Sequence, residues 1–143
     1  MKKFDENSSV LTSEKLLAAS AEEYMNAEQL AFFQHLLKEQ YTQTQAHIEE
    51  TKQQLAKPQE FNDEADRASW EEETMISLRI VDRERKLLNK IEQSLQRIHN
   101  GNYGYCLESG EPIGIARLLA RPTAEYCADV KELKEKKETF YNQ

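Results

Sequence analysis

The reading of the fold turns on Lys57-Pro-Gln-Glu-Phe-Asn-Asp-Glu-Ala-Asp66, a short break inside the stretch Asn26 to Asn100. Before it runs Ala27-Glu-Gln-Leu-Ala-Phe-Phe33 through Leu55; after it runs Ser69-Trp-Glu-Glu-Glu73 through Ile98. Neither flank contains Gly or Pro, and Ala, Leu, Glu, Gln, Lys and Arg dominate both, so each is expected to be one long helix. Pro58 pushes Lys57 out of the α region and ends the first helix. Two stiff rods joined by so short a link fold back as an antiparallel hairpin. At about 1.5 Å rise per residue, an arm of roughly 30 residues reaches about 45 Å.

Working outward, Asn26 followed by Gln29 has the form of a capping box, and Ser69 with Glu72 repeats it on the second helix. Leu30, Leu37, Thr44 and Thr51 recur every seventh residue, interleaved with Gln34, Tyr41, Ile48 and Leu55. That is a heptad stripe, increasingly polar toward the break. On the returning helix Leu88, Ile91, Leu95 and Ile98 keep the same spacing. Met75, Leu78 and Val81 fit it only with a register adjustment, so a local irregularity is expected there. Ile98-His-Asn-Gly101 reads as a helix C-terminus with Gly just past the end.

The chain has 143 residues, a net charge of −7 and 38% hydrophobic residues. Its mean hydropathy of −0.83 is low for a compact sphere of this length and suits helices that bury one stripe each. The acidic balance argues against free nucleic acid as main ligand, although cations cluster at Arg79 to Lys90 and leave room for a smaller anion. The longest apolar run, Ile113 to Ala120, is interrupted by Gly114 and Arg117 and is too short to span a bilayer. Met1-Lys-Lys leads into Asp5, Glu6 and Asn7 and not into an apolar core, so no secretory signal is read and a cytoplasmic location is expected. The expected organisation is an N-terminal segment over 1–25, loosely held and part of a base; an arm over 26–100 with its tip at 58–68; a turn-rich module over 101–126; and a closing helix over 127–143. Val130, Leu133, Lys134, Lys137 and Tyr141 lie at helical spacing in that last piece, with Glu132 and Lys136 as an i,i+4 pair. The expected core of the base is Tyr103, Tyr105, Ile113, Ile115, Leu118 and Leu119.

Cys106-x-x-Ser109, 17 residues, then Cys127-x-x-Val130 has the spacing of a four-ligand zinc ribbon with half of its ligands missing. Ser109 is a poor zinc ligand at neutral pH and Val130 is none, so these read as vestigial zinc positions in a metal-free module. A chain without a signal sits in a reducing compartment, where a Cys106–Cys127 disulfide is unfavourable. His35, His47 and His99 are isolated and read as surface or coiled-coil residues. No nucleophile–base pattern and no glycine-rich phosphate loop is present, so no enzyme is expected.

From Glu22 to about Lys137 the chain resembles the DksA/TraR transcription factors of bacteria. The residues that carry the resemblance are Glu22-Glu-Tyr-Met-Asn26, Asp66-Arg-Ala68 before a Glu run, Asp82-Arg-Glu-Arg-Lys-Leu87, Gly104-Tyr-Cys106, Pro112-Ile-Gly-Ile115 and Ala120-Arg-Pro-Thr-Ala124. The incomplete cysteine set looks like the zinc-free branch found in some pseudomonads, which stands in for the zinc form when zinc is scarce. The resemblance implies a mainly α fold, a long antiparallel coiled coil on a small base, and a non-catalytic, monomeric factor that binds RNA polymerase without reading promoter sequence. The coiled coil would enter the secondary channel and bring its tip near the active centre. With guanosine tetraphosphate (ppGpp), such a factor represses ribosomal RNA promoters and activates some amino-acid biosynthesis promoters in the stringent response. By matched motif, Asp66 and Ala68 with Asp63 would be the tip residues. Arg83, Leu87, Lys90, Arg121 and Lys131 would hold ppGpp. Glu64 stands where the family often has Pro.

Two other readings compete. A Gre-like cleavage factor uses tip acids to hold a catalytic magnesium, and Asp63-Glu64 are adjacent acids; the ribbon remnant argues for the first reading. A generic coiled-coil adaptor would leave transcription indifferent to the tip.

Overall fold

The structure, a computed structural model, describes residues 12–141. The expectations for Met1 to Asn7 and for the Tyr141 side chain lie outside the described residues. Five α-helices are described: α1 (Ser13–Ala18), α2 (Ala27–Leu55), α3 (Glu64–Asn100), α4 (Ile115–Ala120) and α5 (Ala128–Tyr141), with a 3₁₀ turn at Ala21–Glu23. The fold is mainly α, as read from the sequence; among the described residues the β content is one isolated antiparallel bridge, Tyr105 to Pro112. The chain divides into two compact units, one from Lys38 to Glu92 and one built from the residues before and after it.

In the Lys38–Glu92 unit the two long helices pair as an antiparallel hairpin. Tyr41 donates to Glu92 at 3.0 Å, His47 meets Glu84, and past the end of α2 the Phe61 ring packs tilted against Trp70 with centroids 5.5 Å apart, so partner numbers fall on α3 as they rise before it. The seam on α2 is Tyr41, Thr44, Ile48, Thr51 and Leu55, all at least partly covered, at the 3-4 spacing read from the sequence. On α3 the seam is Trp70, Thr74, Ser77, Val81, Glu84, Leu88 and Ile91, an unbroken 3-4 series. The expected irregularity is therefore absent. Met75 and Leu78 are 57% and 50% exposed, and the seam takes Thr74 and Ser77 in their place. Register is set over the whole helix by the larger layers at Val81, Leu88 and Ile91, and a local shift toward Met75 would cost backbone hydrogen bonds.

The start of α3 also differs from expectation. The helix opens at Glu64, ahead of Ser69, and Asp63 caps it by accepting the Asp66 N–H at 2.8 Å. An Asp before a helix-compatible Glu-Ala-Asp is itself a strong N-cap, so the second box at Ser69 and Glu72 is not used. The α2 cap is formed as read, with one change: Asn26 accepts the Gln29 N–H at 2.9 Å, but Gln29 reaches back to the N–H of Met25, at 2.9 Å. Met25 carries a positive φ of 56°, which turns its N–H toward the Gln29 oxygen.

The other unit is assembled from pieces far apart in sequence. From Thr12 onward the N-terminal segment is less loose than expected: Thr12 caps α1, α1 packs against α4, and Leu16 is 1% exposed. Phe33, with no exposure at all, replaces the exposed Gln34 in the α2 stripe and lies 5.6 Å from the Tyr103 ring. Of the expected core, Tyr103, Ile113 and Leu118 are buried, while Tyr105, Ile115 and Leu119 are half-buried. The helix α3 ends as read, in a double cap around Gly101 (φ 82°): Gly101 donates to Ile98 at 3.2 Å and Asn102 to Arg97 at 3.0 Å. In α5 the Glu132–Lys136 pair is present at 3.5 Å, but Leu133 points to solvent.

Candidate functional site

The turn of the hairpin places acids at a helix start. Leu55 ends α2 before Pro58, and the Phe61–Trp70 pair closes the turn over a hollow of about 670 Å³ also lined by Leu55, Asn62, Asp63 and Arg67. Asp63 is held by its cap bond, and its carbonyl accepts the Arg67 N–H at 3.3 Å. Asp66 and Ala68 stand exposed in the first turns of α3. The Asp66 carboxylate takes no hydrogen bond or ion pair among the described residues, whereas its neighbour Arg67 pairs with Glu71 at 3.4 Å. The helix N-terminus favours negative charge at Glu64 and Asp66. The turn thus separates two acids by role: one is a cap, and one is free to meet a partner.

Further along α3, Arg83, Leu87 and Lys90 occupy one face at i, i+4 and i+7; both cations are exposed and Leu87 is half-covered. Ile76 and Ile80 continue this face, 50% and 38% exposed, which the sequence reading missed because it assigned apolar residues to the seam. Arg121 and Lys131 belong to the other unit. Arg121 is exposed just past α4, and Lys131, in the first turn of α5, lies 3.9 Å from Glu135.

The cysteine module is a tight loop. Cys106 donates from its backbone to Glu111 at 2.8 Å, Gly110 returns to Cys106 at 3.0 Å, and Ile113 donates to Gly104 at 2.8 Å. Leu107 bonds to Glu125 at 2.9 Å, and Lys134 of α5 reaches Glu108 at 2.8 Å while covering the Tyr126 ring. The Glu108 carboxylate raises the Lys134 ammonium above its ordinary range. Tyr24, missed by the sequence reading, is the hub: its hydroxyl donates to the Gly104 carbonyl and accepts the Gly114 N–H at 2.9 Å. Nothing local marks Tyr24 for this; both partners are some 80 to 90 residues away.

Both cysteines are free thiols. Cys106 is buried, and Ser109 Oγ lies 3.9 Å from Cys127 Sγ. Burial pushes the Cys106 thiol up, but donation from the Ser109 hydroxyl and from the backbone N–H groups of Ser109, Cys127 and Glu108 outweighs it and holds the thiol down at about 6. Zinc does not fit this donor set. Two thiols, a hydroxyl and the hydrocarbon of Val130 cannot close a tetrahedron, and no group of three or more His, Cys, Asp or Glu able to hold a metal occurs among the described residues.

Comparison with known proteins agrees with this geometry. Residues 29–98 match the family described as DnaK suppressor protein DksA, N-terminal domain, and residues 101–136 match the prokaryotic dksA/traR C4-type zinc finger. The chain is 44% identical over 121 residues to the RNA polymerase-binding transcription factor DksA of Caulobacter vibrioides, covering 84% of this chain and 85% of that one. It is 46% identical to the protein of the same name from Haemophilus influenzae, over 82% of this chain and 81% of that one. A solved structure, transcription factor DksA2 from Pseudomonas aeruginosa, superposes with a TM-score of 0.77 at 45% identity, covering 90% of this chain and 99% of that one. On helices, caps, ribbon remnant and relatives together, the chain belongs to the DksA/TraR family.

Proposed function

We propose that this chain is a non-catalytic regulator of transcription that binds RNA polymerase in the cytoplasm as a monomer and does so without zinc. Its relatives carry the first part of this reading in their names, which are those of RNA polymerase-binding transcription factors. The hairpin enters the secondary channel and sets Asp66 and Ala68 near the active centre, with Asp63 shaping the turn beneath them. The observation that carries the reading is the free Asp66 carboxylate, exposed on the first turn of a helix whose start is separately capped. A carboxylate with no partner of its own retains its full capacity to accept hydrogen bonds from a partner.

The co-regulator is ppGpp, for which Arg83, Leu87, Lys90, Arg121 and Lys131 supply cations and an apolar contact. Guanidinium groups suit phosphates because they donate in a planar fork, and these cations lie in an otherwise acidic chain. Initiation at ribosomal RNA promoters falls and initiation at amino-acid biosynthesis promoters rises. The capping bond of Asp63 weighs against a Gre-like pair of metal-holding acids, since one of its oxygens is already engaged.

The test is purified transcription from a ribosomal RNA promoter with and without ppGpp. Asp66→Asn is expected to lose repression while still binding polymerase. Repression equal to the parent's overturns the tip assignment, and stimulated RNA release from a backtracked complex would favour the cleavage reading.

A further inference from the structure

The acidic turn is anchored by a pair of rings. Among the described residues, no hydrogen bond or ion pair ties any of Pro58 to Asn62, the part of the turn that leads into α3. What holds it is Phe61, whose ring packs against Trp70 with centroids 5.5 Å apart and planes inclined at 51°; both side chains are half-buried. Leu55, at the end of α2, faces the same hollow. The next seam positions on α3, Thr74 and Ser77, are small and polar, so the large ring at Trp70 serves the turn more than the seam. Phe61 precedes the helix and Trp70 lies well inside it, so the indole leans back over the first turns of α3, the direction that helical aromatics take. Asp66 stands there, at i to Trp70's i+4, one turn above it on the same face. The start of the helix is fixed separately, because Asp63 accepts the Asp66 N–H at 2.8 Å. Loss of the indole therefore frees the turn without removing the cap.

We infer that Trp70 is the positioning residue of this turn: backed by Phe61, its indole fixes the path of the turn and the aim of the Asp66 carboxylate, and it touches no partner itself. The inference rests on the reading of Asp66 as the acid that acts within polymerase. A functional group works at a remote site only when its support holds it to within about 0.5 Å of the productive geometry. Further from the turn the hairpin is packed by its own layers at Ile48, Val81 and Ile91 and by the Tyr41–Glu92 bond, so it can still dock when the turn is loose. Trp70 thus separates binding from effect, and it serves the effect.

Purified transcription from a ribosomal RNA promoter is run with ppGpp over a full range of factor concentration, and polymerase affinity is measured separately by competition with labelled parent. Trp70→Ala and Phe61→Ala are expected to bind as the parent does yet to lose most of the maximal repression. Trp70→Phe, which leaves Phe61 a ring to pack on, is expected to keep it. Trp70 is the single tryptophan of the chain, so acrylamide quenching of its fluorescence reports the pair directly and is expected to rise in Phe61→Ala. Full repression by Trp70→Ala overturns the inference, as does a loss of affinity that accounts for its loss of repression, or a Phe variant no better than the Ala one. If circular dichroism shows that Trp70→Ala has lost helix, Phe61→Ala, which alters neither long helix, decides by the same criteria. Asp66→Asn, run in parallel, tells the two readings apart. If it represses like the parent, the tip reading fails and this inference with it; if it loses repression while Trp70→Ala keeps it, the ring pair alone falls.

Discussion

Cys106 is where opposing effects meet: burial disfavours its thiolate, and four hydrogen-bond donors favour it more strongly. The thiolate absorbance of the reduced chain is expected to rise with a midpoint near pH 6, and Ser109→Ala is expected to move that midpoint up; a midpoint at an ordinary thiol value would show that the donors are not engaged. The sign for stability follows. The folded value is held below the unfolded one, so the contribution is fully present above about pH 9 and is lost as pH falls through about 6. Gly104 is a second position of this kind. At φ +90° a Cβ there would meet Met25 Cγ and Sδ at 2.8 Å and the Tyr24 hydroxyl at 3.2 Å. Gly104→Ala is expected to lower stability by about 1–3 kcal/mol in denaturant unfolding, because it adds backbone strain to a close approach. The shortfall of zinc ligands could be read from the chain, as it is a matter of counting. The donors that hold down Cys106 could not, because one of them belongs to Cys127, 21 residues away.

Among the elements, α3 owes its start to Asp63 and its register to the seam. Asp63→Ala is expected to cost about 1 kcal/mol of stability, whereas Asp63→Ser, which can still cap, is expected to cost a few tenths at most. Transcription by the Ser variant then reports what the charge does apart from the cap. Along the seam, Ile48→Ala is expected to destabilise by about 2–5 kcal/mol and Met75→Ala by no more than about 0.5 kcal/mol, read as shifts in the urea midpoint at constant slope. Equal costs would mean that Met75 is in the seam after all. Both long helices, the Pro58 stop and the Gly101 cap were legible because each depends on neighbours a turn away. The choice of Thr74 and Ser77 over Met75 and Leu78 was not. Local apolarity pointed one way, and layers further along the same helix decided it the other way.

For the whole molecule, the proposed independence of zinc has a direct consequence. The residues around Tyr103, Phe33 and Leu118 are held by burial and by the Tyr24 hydroxyl, with no metal ligand among them. Thermal unfolding is expected to be unchanged by EDTA, and a fall of several degrees would show that a bound metal supports the fold. Conversely, Leu16→Ala is expected to cost about 2–5 kcal/mol, as for other fully buried leucines, although it sits on a helix of only six residues. The sequence by itself determined that two long helices flank a break, where three of the four helix ends fall, that acids stand at the turn, and that a ribbon has lost half its ligands. These rest on propensity, Pro and Gly geometry, and donor count, all of which act within a turn or two of the residue concerned. Only the tertiary structure decided that Phe33 and not Gln34 is buried, that Tyr24 ties Gly104 to Gly114, and that Leu16 is an anchor and not part of a loose end. Burial and long-range hydrogen bonds depend on which surface arrives opposite a residue, and that partner lies tens of residues away along the chain.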